Sequence, residues 1–494
     1  MARLPRPRFA LLIMACLTLI PLETLRATSM APFAFGFRRP VFVTSSSTFQ
    51  AAEPSIRVDA TDPNHRIWIA APTGIGADRR GLPGSGSGPG GGDLFWFSDN
   101  DGFTWTVKGA PGPTIVGGGD SDVVAGPGPQ VFGTGLTLAN ITLAGSCDNG
   151  VTFSTNPFST IGAVEDRQWI DMYEDRAKPL TGPDLVLTYG GFAEGRIYFH
   201  QVLAPCVPPA PPSPPEAGAR IDVTFPLLGV PSASDTYQWP GSIAIDENTG
   251  DVYVTYNTSG SPANDKVIVS RIDNGAEMIP TNNATDVHPV VAATNRPDTF
   301  DSFTVVAVDT ASNVYVVWTE RIPSEQGTDT MLAVSEDRGQ TWSAPITVNR
   351  LPETHTTVFP WIVAGEPGRI DIVYYATSAA GPSPETVPNT SLWRVWLARS
   401  VNATADTPTF REGPATGFMH QGSICTSGTG CAAGTRDLLD FFMNDIDERG
   451  LSNITYTDNL NTPAAGTDPH QEWITFVHEC RITSRRTSIP CEAP

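Results

Sequence analysis

The sequence predicts an all-β chain folded as a single β-propeller of four-stranded blades. Three observations carry that expectation: a strand unit that recurs along the chain, a hairpin motif that recurs within it, and a composition made for turns. Among 494 residues there are 46 Gly, 45 Pro and 11 Trp, and only 17% are charged, which suits many short strands joined by tight connections. The formal charge of −21 leaves no electrostatic footprint for nucleic acid or for an anionic lipid surface.

Taken from the start, the chain opens with Arg3, Arg6 and Arg8 before a charge-free apolar run over 9–22. That run is too short to span a bilayer and reads as a secretory signal over 1–27, cleaved near Ala27. A lipoprotein signal ending at Cys16 is the other reading. No later segment is long and apolar enough to cross a membrane. Without Cys16, the cysteines are Cys147, Cys206, Cys425, Cys431, Cys480 and Cys491, an even number that suits an oxidising compartment. Short spacing makes Cys425 with Cys431 and Cys480 with Cys491 natural local loops, leaving Cys147 for Cys206, although spacing alone does not fix the pairing. Residues 28–50 form an N-terminal segment in which 40–43 is expected to supply a ring-closing strand; 51–479 is the propeller, and 480–494 is a tail with a disulfide.

The clearest unit runs from Phe303 to Asp309, turns at 311–313, continues as an apolar strand over 314–318, and reaches a third strand at 331–334 before a polar hairpin. Other first strands start near Ser55, Asp122, Gln168, Ser242, Pro360 and Leu438. Second strands follow at 66–70, 131–134, 185–189, 252–256, 370–374 and 453–456, and third strands at 94–97, 141–144, 196–202, 267–270, 394–398 and 473–477. This gives seven units; the third and seventh are degenerate, so six or eight blades are the other counts. A repeat of this length with about four strands is what a propeller blade requires. The Gly-rich stretch 81–92 and the Pro-rich stretch 205–215 read as surface loops.

Three hairpins share the pattern Ser-x-Asp-x-Gly-x-Thr-aromatic. Ser335, Asp337, Gly339, Thr341 and Trp342 fit throughout; Ser146, Asp148, Gly150, Thr152 and Phe153 fit with Phe; Ser98, Asn100, Gly102, Thr104 and Trp105 fit with Asn at the acidic position. The short acid or amide bonds turn backbone, Gly supplies a positive φ, and the aromatic staples the hairpin to the blade. These residues resemble the Asp-boxes of the sialidase-like, or BNR-repeat, propellers. The resemblance extends over the mature chain through Gly119-Asp-Ser-Asp122, Asp166-Arg-Gln-Trp169, the run from Phe359 to Gly365, and the run from Ile424 to Cys431 followed by Arg436-Asp-Leu-Leu-Asp440. In that family the Asp-boxes are structural turns, so they imply a fold and not a chemistry.

The resemblance implies a further set of parts: three arginines on a sugar carboxylate, a Tyr–Glu nucleophile and an Asp acid/base. Phe37-Arg38-Arg39-Pro40 stands where the first arginine motif is expected, with Arg39 replacing an Ile, and the bland reading of both arginines is a processed N-terminus. Arg167, Arg399 and Arg436 qualify by position, whereas Tyr374, Tyr375 and Tyr456 have no recognisable Glu partner and read first as packed strand aromatics.

Independently of any family, ligands of a ring collect at the mouth of its channel, where the first strands begin. This makes Asp166, Asp122 and Asp440 the candidate catalytic residues, and Arg167, Arg436, Trp239 and Trp361 the candidate substrate contacts; Asp120, Asp301 and Asp437 share the same positions. Tryptophan beside carboxylates and Arg suits a carbohydrate or glycoprotein partner, while the plainer reading has these Asp capping turns and pairing locally. The seven His show no zinc spacing. No cofactor is expected, although such carboxylates can hold Ca²⁺. The sequence therefore points to a secreted, monomeric, sialidase-like glycan-active protein, with exo-α-sialidase-type hydrolysis implied by the resemblance. The rival is a non-catalytic propeller that binds a glycan or protein at the cell surface, and a carboxylate pair acting on another polysaccharide is a third reading.

Overall fold

The computed structural model describes residues 35–480 apart from several segments, the longest being 74–91, 174–183, 204–215, 225–235, 278–285 and 462–471. The signal segment, Cys16, Cys206, Cys491 and most of the tail thus lie outside the described residues.

Strands alternating in β-branched and aromatic residues form antiparallel sheets, each leading outward from an inner strand. The inner strands are Ser55–Val58, Ser121–Ala125, Glu165–Tyr173, Thr236–Ile245, Val305–Val308, Thr356–Ala364 and Met443–Ile446. Each contacts the next, and the last contacts the first, so the inner strands close a circuit around a central axis. The chain is an all-β propeller. Its sheets are mostly of four or five strands; the sheet of nine consists of two antiparallel runs joined by one parallel bridge, Thr328 to Thr356. The N-terminal strands Gly36–Phe37 and Val41–Phe42 pair antiparallel with Trp473–Cys480, completing the last sheet from the other end of the chain.

Second strands follow the sequence expectation closely, as with Val131–Thr137 and Val252–Ser259. Inner strands deviate: one begins at Thr236, upstream of the expected Ser242, and the last begins at Met443, downstream of Leu438. The reason is local. Register shifts interrupt the inner strands between Asp166 and Trp169, between Tyr237 and Ile243, and between Val358 and Trp361. A bulge breaks the period-two pattern on which strand reading depends and re-aims the side chains beside it.

Adjacent inner strands leave backbone N–H groups that side chains satisfy. Asp122 accepts from Ile170 N–H at 3.0 Å, Asp445 from Val58 N–H at 2.8 Å, and Ser242 Oγ from Val306 N–H at 2.8 Å, each bond crossing from one sheet to the next. Leaving such a buried donor unmade costs about 1–3 kcal/mol.

The three motif hairpins share one geometry. The serine hydroxyl donates to Asn100, Asp148 or Asp337 at 3.0, 2.8 and 2.8 Å, and accepts from the glycine N–H at 3.0, 2.9 and 2.8 Å. The glycines sit at φ +79°, +69° and +79°. They also admit a neighbouring blade: a Cβ on Gly102 would lie 2.1 Å from Phe476, and one on Gly150 would lie 2.6 Å from Trp68. The motif aromatics reach the same way, Trp105 standing 5.2 Å from Phe476 and Phe153 5.3 Å from Phe95.

Around Asp101 of the first hairpin the ring closes through charge. Arg38 donates to the Asp101 carbonyl at 2.9 Å and to its carboxylate at 2.8 Å, and Arg449 of the last sheet donates to that carboxylate at 3.1 Å. His478 Nε2 stands 3.5 Å from Asp447 and 3.6 Å from Asp101. Burial works to raise the Asp447 pKa, but hydrogen bonds from His478, the Leu451 N–H and Arg449 outweigh it and bring the carboxyl from 3.8 to about 2.

Cys425 and Cys431 form a disulfide, and Cys147 and Cys480 each take part in a further one.

Two stability tests follow from these contacts. Gly195 has φ +61° and open space around its Cα, so Gly195→Ala isolates the backbone penalty of about 1–2 kcal/mol. Gly150→Ala adds the collision with Trp68 and should lose more, about 3 kcal/mol in all, by urea unfolding; equal losses would remove the wedge role of Gly150. Because the Asp447 pKa is lowered by folding, its contribution is present above 3.8 and disappears as pH falls towards about 2. The acid limb of unfolding should therefore flatten in Asp447→Asn, and an unchanged limb would contradict this account.

Candidate functional site

The site is built where the inner strands begin, at the end of each sheet opposite the motif hairpins. Glu53 precedes the inner strand Ser55–Val58, Asp120 precedes Ser121–Ala125, Asp166 and Arg167 open Glu165–Tyr173, and Arg436 and Asp440 lead into Met443–Ile446. Glu53, Asp120 and Leu439 take left-handed φ of +60°, +45° and +55°. Non-glycine residues hold such angles only where surrounding structure over-determines them, and such positions cluster at functional sites. The Gln168 amide donates to the Asp120 carbonyl, fixing one kink against the neighbouring strand.

Asp120 is the hub. Its carboxylate accepts side-chain hydrogen bonds from Asp166 and from Glu53, and the guanidinium groups of Arg167 and Arg436 lie within electrostatic reach. Burial works to raise its pKa, yet the Asp166 hydrogen bond and the two arginines hold it below the ordinary carboxylate range. Its neighbours move the other way. Burial, then the Asp120 charge, push Asp166 and Glu53 well above their ordinary values, and the same two causes raise Asp93. Asp440 is raised chiefly by burial, against the opposing charge of Arg436, with which it forms an ion pair. Within the cluster, Asp120 is thus held towards its anionic form while the carboxyls around it are held towards their protonated forms. Glu53 Oε1, Asp166 Oδ1 and both Asp93 oxygens have no hydrogen-bond partner among the described residues, which suits neutral carboxyls better than carboxylates.

Depth divides the cluster. Asp120, Asp166, Arg436 and Asp440 are half-buried and face the mouth, while Glu53, Asp93 and Arg167 form the floor. Arg167 is 1% exposed; its guanidinium lies 3.9 Å over Trp169 and 4.2 Å over Phe441, donates to the Gln168 carbonyl at 2.9 Å, and supplies fixed positive charge from below.

Four of the sequence-derived candidates, Asp166, Arg167, Asp440 and Arg436, therefore meet around Asp120. Asp122 is placed one step deeper, 1% exposed, its carboxylate taken by the N–H groups of Val123 and Ile170. Trp361 is 5% exposed and packs 5.1 Å from Trp169 and 5.9 Å from Phe441, so it walls the floor instead of facing the channel. Trp239 belongs to the strand Thr236–Ile245, and its side chain lies outside the described residues, as does Asp301. Arg399 is occupied elsewhere by Asp371 and Glu479. Tyr374 does have a Glu partner, donating to Glu412 at 3.1 Å, but that pair bridges the second and fourth strands of its sheet, away from the inner-strand starts. Tyr375 is fully buried and stacked 4.0 Å from Phe442.

Sequence reading did not find Glu53 or Asp93. Glu53 had a usable signal, since it precedes a first strand as Asp120 does; Asp93 lies in the third strand Gly92–Ser98 and had none. Among the described residues, Asp101, Asp447 and His478 bring ligand atoms within 4.8 Å of one another, but Arg449 donates to both carboxylates and its Nη2 lies 3.1 Å from His478 Nε2, so guanidinium stands where a metal ion would.

No protein-family model and no curated protein matches the chain. Among solved structures, the α-L-arabinofuranosidase Arb93A of Fusarium graminearum is 11% identical, with 69% of this chain and 92% of that one covered at a TM-score of 0.40. The six-bladed fucose-binding lectin of Aleuria aurantia is 10% identical over 75% and 96%, at 0.42. The sialidase of Trypanosoma rangeli is 10% identical over 92% and 58%, at 0.35. All three likenesses are distant.

The floor can be tested through stability. Folding raises the Glu53 pKa, so its contribution is complete below the ordinary 4.5 and is lost as pH rises. In Glu53→Gln, which mimics the protonated form, the urea midpoint should fall less between pH 5 and pH 8 than in the wild type; an identical slope would mean that Glu53 is ionised in the fold.

Proposed function

We propose that this chain is an exported, seven-bladed, carbohydrate-active propeller that hydrolyses a glycosidic bond at its channel mouth, with Asp166 as acid and Asp120 as the anion that holds its proton in place. The observation that carries this reading is the hydrogen-bonded chain of Glu53, Asp120 and Asp166, in which environment moves the pKa values of neighbouring carboxyls in opposite directions. Pairs of titratable groups pushed apart in this way mark the one that keeps its proton as the acid. The circuit of inner strands supports the blade count, and the Cys425–Cys431 disulfide supports export to an oxidising compartment.

In the proposed reaction the glycosidic oxygen replaces Asp120 as the hydrogen-bond partner of Asp166. Asp166 gives its proton to that oxygen as the bond to the anomeric carbon breaks. The water that adds to the anomeric carbon gives its proton back to Asp166, which ends protonated as it began, because Asp120, hydrogen-bonded to Asp166, leaves no room for that water between the two. Arg167, fixed beneath, limits the repulsion that a second carboxylate would otherwise create while Asp166 is ionised.

Charge selects the sugar class. Arg167 is clamped in the floor against Trp169 and Phe441, and Arg436 is paired with Asp440, so neither guanidinium is left over for a substrate carboxylate. A neutral glycoside therefore fits this mouth better than the sialoside implied by the family resemblance.

Release of nitrophenol from a panel of neutral nitrophenyl glycosides, run beside an α-linked sialoside, tests the reading. Cleavage of a neutral glycoside is expected, with kcat about 10²- to 10⁴-fold lower in Asp166→Asn and in Asp120→Asn. Cleavage of the sialoside alone would overturn the charge argument. No cleavage, with glycan binding retained by calorimetry, would establish the binding propeller in its place.

A further inference from the structure

Large apolar side chains are exposed at six described positions, and three of them gather at one place. Leu392, Phe418 and Leu460 are 36%, 40% and 39% exposed, and the other three are the valines Val107, Val151 and Val401. Isolated exposed apolar residues need no explanation, but a group that includes an aromatic does.

Backbone and side-chain bonds hold the group together. The Asn461 amide donates to the Phe418 carbonyl at 2.8 Å, and Leu460 N–H donates to the Met419 carbonyl at 3.1 Å. Leu392 opens the strand Leu392–Ser400 opposite Gln421 and shares a face with Arg394, whose guanidinium lies 4.0 Å from the Phe418 ring centroid. One ring face is thus covered by a cation, the aromatic is held in place, and the exposed amides of Gln421 and Asn461 flank it.

The group is also tied to the mouth. Asn459, next to Leu460, accepts from the buried His420 Nδ1 at 2.9 Å and donates to Asp437 at 2.8 Å, and Asp437 follows Arg436 of the candidate site. The segment that carries Arg436 and Asp440 and the segments that carry Phe418 and Leu460 are therefore locked as one surface.

We infer that Phe418, with Leu392 and Leu460 beside it, is a subsite for a neutral sugar unit of an oligosaccharide whose reacting bond lies at Asp166. The inference rests on the glycan reading of the mouth. The axial C–H face of a pyranose packs on an aromatic ring and on apolar side chains, while its equatorial hydroxyls require amides or guanidinium at the rim. Phe418, the two leucines, Gln421, Asn461 and Arg394 supply that combination.

The test measures affinity by calorimetry for neutral gluco-, xylo-, arabino- and chito-oligosaccharides of increasing length, using the full chain. In the wild type, affinity for the preferred series should rise from one unit to three. Phe418→Ala should remove about a tenfold share of that rise while leaving monosaccharide binding unchanged, and Phe418→Trp should restore it. Binding whose length dependence is the same in Phe418→Ala overturns the subsite alone. Absence of binding to every series in the wild type overturns the glycan reading of the mouth, and the subsite with it.

Discussion

Inner strands of a ring stand side by side without sharing a continuous ladder, and the rest of this structure depends on how their leftover backbone donors are met. Asp122, Asp445 and Ser242 meet them by reaching across to the next sheet, so polar side chains that look available for chemistry in the sequence are committed to architecture. At the other end of the sheets the motif hairpins do the complementary work with apolar contact, each glycine admitting an aromatic of its neighbour. Directional bonds near the axis set spacing and order; close packing further out resists opening.

The mouth inherits its character from this frame. Bulges and left-handed residues at the strand starts turn Glu53, Asp120 and Asp166 towards one another, in surroundings where ionising a second carboxylate is expensive. A buried arginine clamped between Trp169 and Phe441 cannot follow a ligand, so it acts as a fixed part of the field. Trp361, which in the sequence suggested a stacking platform for sugar, is part of the wall that keeps that arginine in place.

Architecture was legible because it is written in local patterns. The strand unit and the motif hairpins repeat, and their spacing survives in every sheet whose hairpin was singled out. The location of the site was legible for a related reason: whatever precedes a first strand must arrive at the mouth, which brought Asp166, Arg167, Arg436 and Asp440 together. Roles were not legible. Asp120 and Asp122 differ by two positions and by nothing in residue type, yet one is a hub with depressed pKa and the other a tie between sheets, because a left-handed turn separates them. Glu412, far along the chain from Tyr374, meets it only through outer-strand pairing, and no motif announces such a meeting. Asp93 reaches the floor from a third strand, where periodicity offers nothing to mark it.

The joining of Gly36–Phe37 and Val41–Phe42 to Trp473–Cys480 has a bearing on how the molecule comes into being. The Ile474 N–H donates to Thr44 Oγ1 across 430 positions of sequence, so the last sheet cannot be finished until the chain has been made as far as that strand. Until then the ring is a gapped arc with unpaired strand edges at both ends, and such edges invite pairing with other chains. A closure this non-local is slow by nature, which leaves a long interval in which the ring is still incomplete. The same seam makes premature termination unusually damaging, since loss of a few terminal strands would deprive the first sheet of its neighbour as surely as the last.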